Sequence, residues 1–333
     1  MVNKTKKSQP GLPSSEKPSS KWGSSISGLR ILVTGGAGYK GVILVERLLE
    51  LGHRVSILDN FMYGYGPVLH LVHNSRLQVS KNDVRNLKKR DLSGFDVIYH
   101  LAGISGVPAC AANPHSAEMI NVEATKTLVS LLDKHQLLIN ASTTSFYGAT
   151  GKAFDENMPV EPISIYGKTK YEAERIVQMR PRSISLRFAT VFGVSAKMRD
   201  DLLVNDFVQR AINDKLIVLF AAQSKRTFVH VQDAVSAYLF ALDHQSEMVD
   251  QVFNVGDPTL NYSKQQIANA IAKRVPCEVT NSTMPSNDKR NFEVSFEKIR
   301  TLGYQTEYTL DDGISELIKL YHFYTINQQY RVI

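Results

Sequence analysis

Short apolar runs alternate with helical patterns along the first half of the chain. Residues 31–34 form an apolar run that leads into glycines, and apolar positions at helical spacing follow over 42–51. The alternation continues with further strand-like runs and a second helical segment, at 54–58, 96–100, 117–134 (helical) and 137–140. Because strands that alternate with helices form βαβ units, this pattern predicts a doubly wound parallel sheet.

The second half of the chain shows a weaker alternation, beginning beyond Gly193. Shorter helices and strands there predict a smaller α/β lobe that closes over a ligand. We therefore expect an α/β fold, with the sheet domain over 29–187 and the smaller lobe over 188–333. The return of part of 225–260 to the first domain is an alternative that the pattern leaves open. Residues 1–28 are rich in Ser, Lys and Pro and are interpreted as a disordered leader or an expression remnant.

The composition favours a globular cytoplasmic protein without a metal site. Hydrophobic residues make up 43% and charged residues 21% of the 333 positions, so a core is feasible and wholesale disorder is not. The longest strongly apolar run, 216–222, is far shorter than the about 20 residues that a spanning helix needs. No secretory signal is visible. Cys110 and Cys277 lack metal-type spacing, which argues against a zinc site or a disulfide framework and favours a reducing compartment.

The net charge of +7 is concentrated at the amino-terminal end of the chain. Residues 1–28 contain five lysines and one glutamate, so this segment carries +4 and residues 29–333 carry the other +3. No block of Lys and Arg with interleaved aromatic residues occurs in the larger part, so a nucleic acid partner is not expected. Small anionic ligands explain the scattered basic residues better.

A glycine-rich loop lies between the first predicted strand and its helix. Gly35, Gly38 and Gly41 let the backbone turn tightly and approach a pyrophosphate at the helix N-terminus. Asp59 lies at the end of the second strand, where an acid accepts hydrogen bonds from ribose hydroxyls and repels a 2′-phosphate. The loop and the acid together predict dinucleotide binding, with NAD favoured over NADP. Lys40 replaces the usual apolar residue, either as a charge near the phosphates or as a solvated lysine.

Tyr166 and Lys170 lie one helical turn apart and therefore share a helix face. A lysine ammonium beside a phenol favours the phenolate, which makes the tyrosine a usable general base at neutral pH. An exposed helix face is the alternative interpretation. The pair follows the polar run 141–148, which comes just after a buried strand, and ligands bind at such strand ends in doubly wound folds.

These features together resemble the extended short-chain dehydrogenase/reductase family of NAD-dependent nucleotide-sugar epimerases and dehydratases. The resemblance covers the chain from residue 29 to about residue 320 and implies a Rossmann-type fold with NAD as the cofactor. It rests on the loop 34–41, Asp59 and Asn60, 83–85, 100–103, Asn121 and Val122, Thr143, Tyr166 and Lys170, Arg187, 226–231, 254–256 and Arg290.

The resemblance implies roles for individual residues. Lys170 would hold the nicotinamide ribose, and Thr143 would hydrogen-bond the sugar hydroxyl that Tyr166 deprotonates, while Asp83 would contact the adenine. The cofactor-binding residues are expected to be Gly35, Gly38, Tyr39, Lys40, Gly41, Asp59, Asn60, Asp83, Val84, Leu101, Ala102, Gly103, Tyr166 and Lys170. The substrate-binding residues are expected to be Thr143, Thr190, Asn205, Arg226 and Arg290. The two arginines resemble those that clamp a sugar-nucleotide diphosphate, with surface arginines as the alternative.

Departures from the family pattern narrow the expected chemistry. Members that dehydrate a sugar carry Asp-Glu after the catalytic threonine, where this chain has Thr144 and Ser145. Decarboxylating members need a glutamate at the position of Ser145, and members that invert C3 and C5 use a cysteine there. Oxidation and reduction at one carbon, usually C4, remain as the expected reaction, carried out by an epimerase or by a C4 dehydrogenase.

The substrate and two rival functions stay open. The stretches 187–193 and 198–207 resemble a bacterial subgroup linked to surface-polysaccharide sugars, some members of which oxidise C4 of a nucleotide-linked heptose. Thr190 stands where most members place an asparagine near the substrate. A 4,6-dehydratase that uses another acid and a non-catalytic protein that binds NAD or a nucleotide sugar are the alternatives.

Family members usually dimerise through a four-helix bundle made from two helices of each dinucleotide domain. Here the candidates are the helices over 117–134 and 166–179. The first carries more apolar residues than one core-facing stripe requires, which predicts burial on two sides. We expect a homodimer, with packing of both helices on their own sheet as the alternative.

Overall fold

The computed structural model describes Trp22 and residues 27–147, 153–284 and 293–325. Its strands are β1 Arg30–Thr34, β2 Arg54–Asp59, β3 Leu77–Lys81, β4 Val97–His100, β5 Leu137–Thr143, β6 Ala153–Phe154, β7 Ser183–Phe188, β8 Thr190–Phe192, β9 Leu216–Leu219, β10 Lys225–His230, β11 Gln251–Val255, β12 Asn261–Ser263, β13 Glu278–Asn281 and β14 Glu293–Val294. Its helices are α1 Gly41–Glu50, α2 Lys89–Leu92, α3 Val107–Ala112, α4 Pro114–Glu118, α5 Ala124–Leu131, α6 Ile165–Gln178, α7 Leu203–Asn213, α8 Val231–Asp243, α9 Gln245–Met248, α10 Lys264–Ala272, α11 Glu297–Thr301 and α12 Leu310–Tyr321. No helix of the described residues is long and apolar enough to cross a membrane.

A seven-stranded parallel sheet organises the fold, in the order β11-β7-β5-β4-β1-β2-β3. Its central strands are buried on both faces, which explains why they appear in the sequence as continuous apolar runs, such as Ile31–Val33. The strand order reverses direction between β1 and β4, and ligands of doubly wound sheets bind beyond the carboxyl ends of the strands at such a reversal. The predicted α/β Rossmann-type fold is confirmed.

Among the described residues, two of the three smaller sheets contribute to a hydrophobic cluster that includes Phe192, Val208, Ile217, Ile267 and Ile314, whereas the third, β14 with β6, packs in the cluster of the large sheet. One of these sheets has the order β12-β10-β8, and another pairs β13 with β9. The chain then re-enters the large sheet at β11, which pairs with β7. This strand falls inside 225–260, and the division of the chain into two domains stays a prediction.

The helix predicted over 117–134 is interrupted. The structure has α4, a π-helical turn over Met119–Glu123, and α5, and the helix ends at Leu131 because Leu132 is extended. The wider π turn leaves Asn121 buried beside the site described below. Trp22 packs edge-on against Phe240, with ring centroids 4.9 Å apart. Residues 1–21 and 23–26 lie outside the described residues, so their interpretation as a leader stays a prediction.

Candidate active site

The glycine loop, residues 35–40, turns so closely against its neighbours that Gly35 has no room for a side chain. Gly35 has φ +70°, and a Cβ there would lie 2.7 Å from the backbone nitrogen of Ala102. A Cβ on Gly41 would overlap the carbonyl oxygen of Gly35. The loop leads directly into the N-terminus of α1, where free N–H groups favour an anion. This cradle fits the pyrophosphate of a dinucleotide.

Asp59 closes the adenosine side of the loop. One oxygen of its carboxylate accepts a hydrogen bond from the backbone of Ala37 (3.1 Å), and the other accepts one from Phe61 (2.8 Å). Burial raises the pKa of this carboxyl. Since a carboxylate has about four lone-pair sites, two remain for hydroxyl donors. Asp59 is therefore fixed beside the cradle in the position expected of a ribose-binding acid.

Asn60 and Asp83 contact each other at the next position outward. The Asn60 amide donates to Asp83 Oδ2 (3.2 Å), and Arg85 donates from its Nε and Nη2 to both Asp83 oxygens, at 2.9 and 2.8 Å. The Arg85 guanidinium holds the pKa of Asp83 well below its usual range. Val84 is buried behind them. The structure thus brings the predicted adenine-side residues together, while the contact of Asp83 with adenine stays a prediction.

Asn121 connects the loop after β4 to α6, the helix that carries Tyr166. The backbone of Leu101 donates to the carbonyl of Thr34 at the start of the glycine loop (3.0 Å). A Cβ on Gly103 would lie 2.8 Å from Asn121 Oδ1, which accepts a hydrogen bond from the backbone of Ile104 (2.8 Å). The Asn121 amide also donates to Thr169 Oγ1 on α6 (3.1 Å). One buried amide therefore connects this loop with the helix that carries Tyr166.

The start of α6 lies directly on the turn that follows β5. Ser164 caps this helix by accepting a hydrogen bond from the backbone of Gly167 (3.0 Å). A Cβ on Gly167 would lie 3.4 Å from Phe146 Cα, so the helix approaches the backbone of the turn closely. Tyr166 and Lys170 are both half-buried. Burial lowers the pKa of Lys170 to about 8.

Thr143 is the last residue of β5 and is 5% exposed. Its Oγ1 accepts a hydrogen bond from the backbone of Ser145 (3.1 Å). The neighbouring Thr144 is buried and donates from its hydroxyl to the carbonyl of Phe188 (3.2 Å). The position that carries an acid in dehydrating relatives is thus occupied by a hydroxyl that is bonded to β7.

A buried ion pair fixes the inner side of α6, and sequence reasoning missed it. Glu174 lies one turn beyond Lys170 and is fully buried, and Arg187 donates to it from Nε (3.0 and 3.1 Å) and Nη2 (2.6 Å). Arg187 also donates to Tyr147 Oη (2.6 Å), which in turn donates to Asn254 on β11 (2.8 Å). A glutamate on the inward face of a helix was the available signal.

Two of the predicted substrate residues, Thr190 and Arg226, lie on paired strands of the three-stranded sheet. Thr190 on β8 pairs with Phe228 on β10, and Arg226 lies two residues before Phe228 with 3% exposure. Arg226 donates from Nη1 to the carbonyl of Lys225 (2.7 Å). Arg290 lies outside the described residues. The diphosphate-clamping roles of both arginines and the sugar contact of Thr190 stay predictions.

Asn205 is fully buried and holds the loop after β8, residues 193–201, which we call the second loop. Its Oδ1 accepts a hydrogen bond from the backbone of Gly193, and its Nδ2 donates to the carbonyl of Arg199, both at 3.0 Å. Tyr39 donates from its hydroxyl to the carbonyl of Gly193 (2.7 Å), which joins the glycine loop to the second loop. A substrate contact of Asn205 stays a prediction beside these protein partners.

Arg199 brings a charge from the second loop to the catalytic region, and sequence reasoning did not single it out. Its Nε and Nη2 donate to the two oxygens of Asp201, each at 2.6 Å, and Nη2 also donates to the carbonyl of Ser105 (3.3 Å). Its charge interacts with Tyr166. The second loop therefore reaches the loop after β4.

A family model described as the NAD dependent epimerase/dehydratase family matches residues 31–256. An uncharacterized UDP-glucose epimerase of Bacillus subtilis is 31% identical over 250 residues, which cover 68% of this chain and 77% of that protein. UDP-glucuronic acid decarboxylase 1 of Danio rerio is 25% identical, over 88% of this chain and 72% of that protein.

A solved structure of UDP-glucuronic acid 4-epimerase from Bacillus cereus, in complex with UDP-glucuronic acid and NAD, superposes with a TM-score of 0.80. The two chains are 26% identical, and the match covers 88% of this chain and 99% of that one. The likeness therefore includes the large sheet and the smaller lobe.

Proposed function

Because this chain belongs to the NAD-dependent epimerase/dehydratase family, we propose that it epimerises C4 of a UDP-sugar by transient oxidation. The observation that carries the proposal is the arrangement at the carboxyl end of β5. Thr143 ends the strand, and the helix with Tyr166 and Lys170 packs on the turn that follows it. The UDP moiety is proposed because relatives of similar length are named for UDP-sugars.

Each catalytic residue has one task in this scheme. The Tyr166 phenolate accepts the proton of the C4 hydroxyl and later returns it, and the Lys170 ammonium favours the phenolate. Thr143 orients the same hydroxyl. NAD, when bound, supplies the acceptance and return of a hydride, which is two electrons with one proton. Return of the hydride to the opposite face of the 4-keto sugar gives the epimer.

The residues after Thr143 favour this reaction over the other chemistries of the family. Decarboxylating relatives need a glutamate where this chain has Ser145, and dehydrating relatives need an acid where Thr144 is bonded to Phe188. Neither a threonine nor a serine hydroxyl can act as the general acid or base that a carboxyl group provides at these positions. Simple oxidation and reduction at one carbon needs only the tyrosine, the threonine and the cofactor.

Replacement of Tyr166 by Phe tests the proposal. We expect turnover of UDP-glucose or UDP-glucuronic acid to fall by about 10²- to 10⁴-fold, because the proton acceptor is lost, while NAD stays bound. Tyr171→Phe is the matched control, since Tyr171 is on the same helix and packs against the Phe146 ring at 5.4 Å. Near-normal turnover of the Tyr166 variant would overturn the assignment.

The products distinguish the rival reactions. Proton NMR that shows the C4 epimer without net reduction of the cofactor supports the epimerase. Accumulation of reduced cofactor with a 4-keto sugar would indicate a C4 dehydrogenase instead, and a product lighter by one water would indicate a dehydratase. Absence of any product or reduced cofactor across a panel of nucleotide sugars would favour a binding protein.

The proposal includes the oligomeric state of the enzyme, its compartment and the use of its product. We expect a cytoplasmic enzyme that acts on a polysaccharide precursor, and the apolar residues exposed along the helices after β4 and β5 support a homodimer. Met119 is 36% exposed, and Met179, just after α6, is 74% exposed. Light scattering is expected to give twice the chain mass, and a monomer at micromolar concentration would refute the dimer.

A further inference from the structure

The Lys40 side chain extends from the glycine loop to the Phe188 ring at the end of β7. Its Nζ lies 3.6 Å from the centroid of the Phe188 ring and 5.3 Å from that of Tyr238. Phe188 ends β7, and its Cα pairs in register with that of Thr143 on the neighbouring strand. The ammonium is therefore one strand away from the catalytic threonine, and it is not a solvated group at the protein surface.

The surroundings of this ammonium are aromatic and cationic. Among the described residues, Nζ makes no hydrogen bond or ion pair, and the charges that act on it belong to Lys170 and Arg199. Burial, and then these two cations, lower the pKa of Lys40. When Lys40 is protonated, its charge adds to those of Lys170 and Arg199, and in this partly desolvated space a further cation is repelled more strongly than in water.

We propose that Lys40 tunes the bound dinucleotide, favouring its reduced form over its oxidised form. The oxidised nicotinamide ring carries a positive charge, whereas the reduced ring, with two electrons and a proton more, carries none. An ammonium near the nicotinamide ring therefore destabilises the oxidised ring selectively. An enzyme that must take a hydride from a sugar gains from this bias, because it favours the oxidation half of the cycle.

The proposal also separates two roles that the sequence allows for Lys40. A lysine that binds the pyrophosphate would strengthen binding of both cofactor forms by the same factor, since both carry the same phosphates. A lysine beside the reacting ring would act on one form only. The position of Nζ over the Phe188 ring, one strand from Thr143, supports the second role.

The test compares the affinities of the full chain for NAD⁺ and NADH by titration calorimetry, together with the midpoint potential of the bound couple against a redox dye. In Lys40→Met, whose apolar side chain fits over the Phe188 ring, we expect the ratio of the two dissociation constants to move about tenfold in favour of NAD⁺. For a two-electron couple, tenfold corresponds to a potential lower by about 30 mV. No sugar is present, so failure of the C4 chemistry leaves this measurement intact.

Two further variants make the result decisive. Lys40→Arg keeps the charge and should keep the wild-type ratio, and Lys168→Met removes an exposed lysine of α6 and should leave the ratio unchanged. Lys40→Gln replaces Lys40→Met if the latter fails to fold, with the same expected shift. Equal weakening of both cofactor forms, or an unchanged ratio in the Met and Gln variants, would overturn the proposal.

Discussion

The glycine loop and the second loop touch through Tyr39 and Gly193, yet they are held in different ways. The glycine loop is held by short-range backbone bonds, since Gly38 donates to the carbonyl of Gly35 (3.1 Å) and Val42 to that of Gly38 (3.0 Å), and by the neighbouring strand β2, since Gly35 donates to the carbonyl of Leu58 (2.9 Å). The second loop is held mainly by side chains from elsewhere in the chain.

The contacts of the second loop come from distant elements. Gly193 bonds to Asn205 of α7, and the backbone of Val194 donates to Glu316 of α12 (2.8 Å). The hydroxyl of Ser195 donates to the carbonyl of Tyr39 (2.7 Å). A loop built from its own glycines can be recognised in a sequence, whereas a loop held by remote side chains cannot. Substitutions in the glycine loop should therefore mainly weaken cofactor binding, whereas substitutions in the second loop should mainly lower the free energy of unfolding.

Gly193→Ala is expected to have the larger effect. Gly193 has φ +115°, and an added Cβ would overlap His230 Nε2 and lie 2.8 Å from Glu316 Oε1. The substitution would strain the backbone and break the 2.6 Å contact between those two side chains. We expect the free energy of unfolding to fall by about 3 kcal/mol in urea denaturation of the cofactor-free protein.

Gly303→Ala provides the matched control for that experiment. Gly303 has φ +101°, but an added Cβ would meet no atom within 4 Å. The control therefore measures backbone strain alone, which we expect to cost about 1 kcal/mol. Equal losses in the two alanine variants would show that remote side chains do not hold the second loop.

Gly41→Ala acts on the other loop and should change binding more than folding. The new Cβ would overlap the Gly35 carbonyl and displace the cradle, at a cost of about 1–3 kcal/mol. Calorimetry is expected to show NAD affinity about 10- to 100-fold weaker. Gly66→Ala, where an added Cβ meets nothing within 4 Å, should bind NAD normally. Equal affinities in the two variants would refute the local account of the cradle.

The sequence predicted the features that depend on local pattern. Short apolar runs predicted β1, β2, β4 and β5, because strands buried in the sheet carry few polar residues, whereas β3, β7 and β11 were not predicted. The spacing of Gly35 and Gly41 and the one-turn spacing of Tyr166 and Lys170 placed the cradle and the catalytic helix. In each case the physical constraint acts over a few consecutive residues, so the constraint is visible in the sequence itself.

The remaining features depend on which distant residues meet. The π turn around Asn121 could not be foreseen, since its amide joins the loop after β4 to Thr169 on another helix. Glu174 looked like an ordinary helix residue until Arg187 was placed beside it. The sequence also showed that Lys40 was unusual without showing that its ammonium lies over Phe188.

The smallest expected effect concerns Lys170 on α6. Burial lowers its pKa to about 8, whereas a lysine in the unfolded chain titrates near about 10.4. Between these values the unfolded state binds more protons, so the stability of the cofactor-free protein should rise with pH. Relative to Lys170→Met, the wild type should gain about 1 kcal/mol from pH 8 to 10, after discounting for water around a half-buried ammonium.

Urea denaturation of the wild type and of Lys170→Met from pH 8 to 10 measures the difference between their free energies of unfolding. Groups that titrate equally in the two proteins cancel in this difference. Lys168→Met, at an exposed position of the same helix, should show no such pH dependence relative to the wild type. A difference between wild type and Lys170→Met that stays flat from pH 8 to 10 would mean that water hydrates the ammonium fully. The space around Lys170 would then be open to water. The electrostatic effect assigned to Lys40 would weaken as well, because both ammonium groups depend on the same exclusion of water.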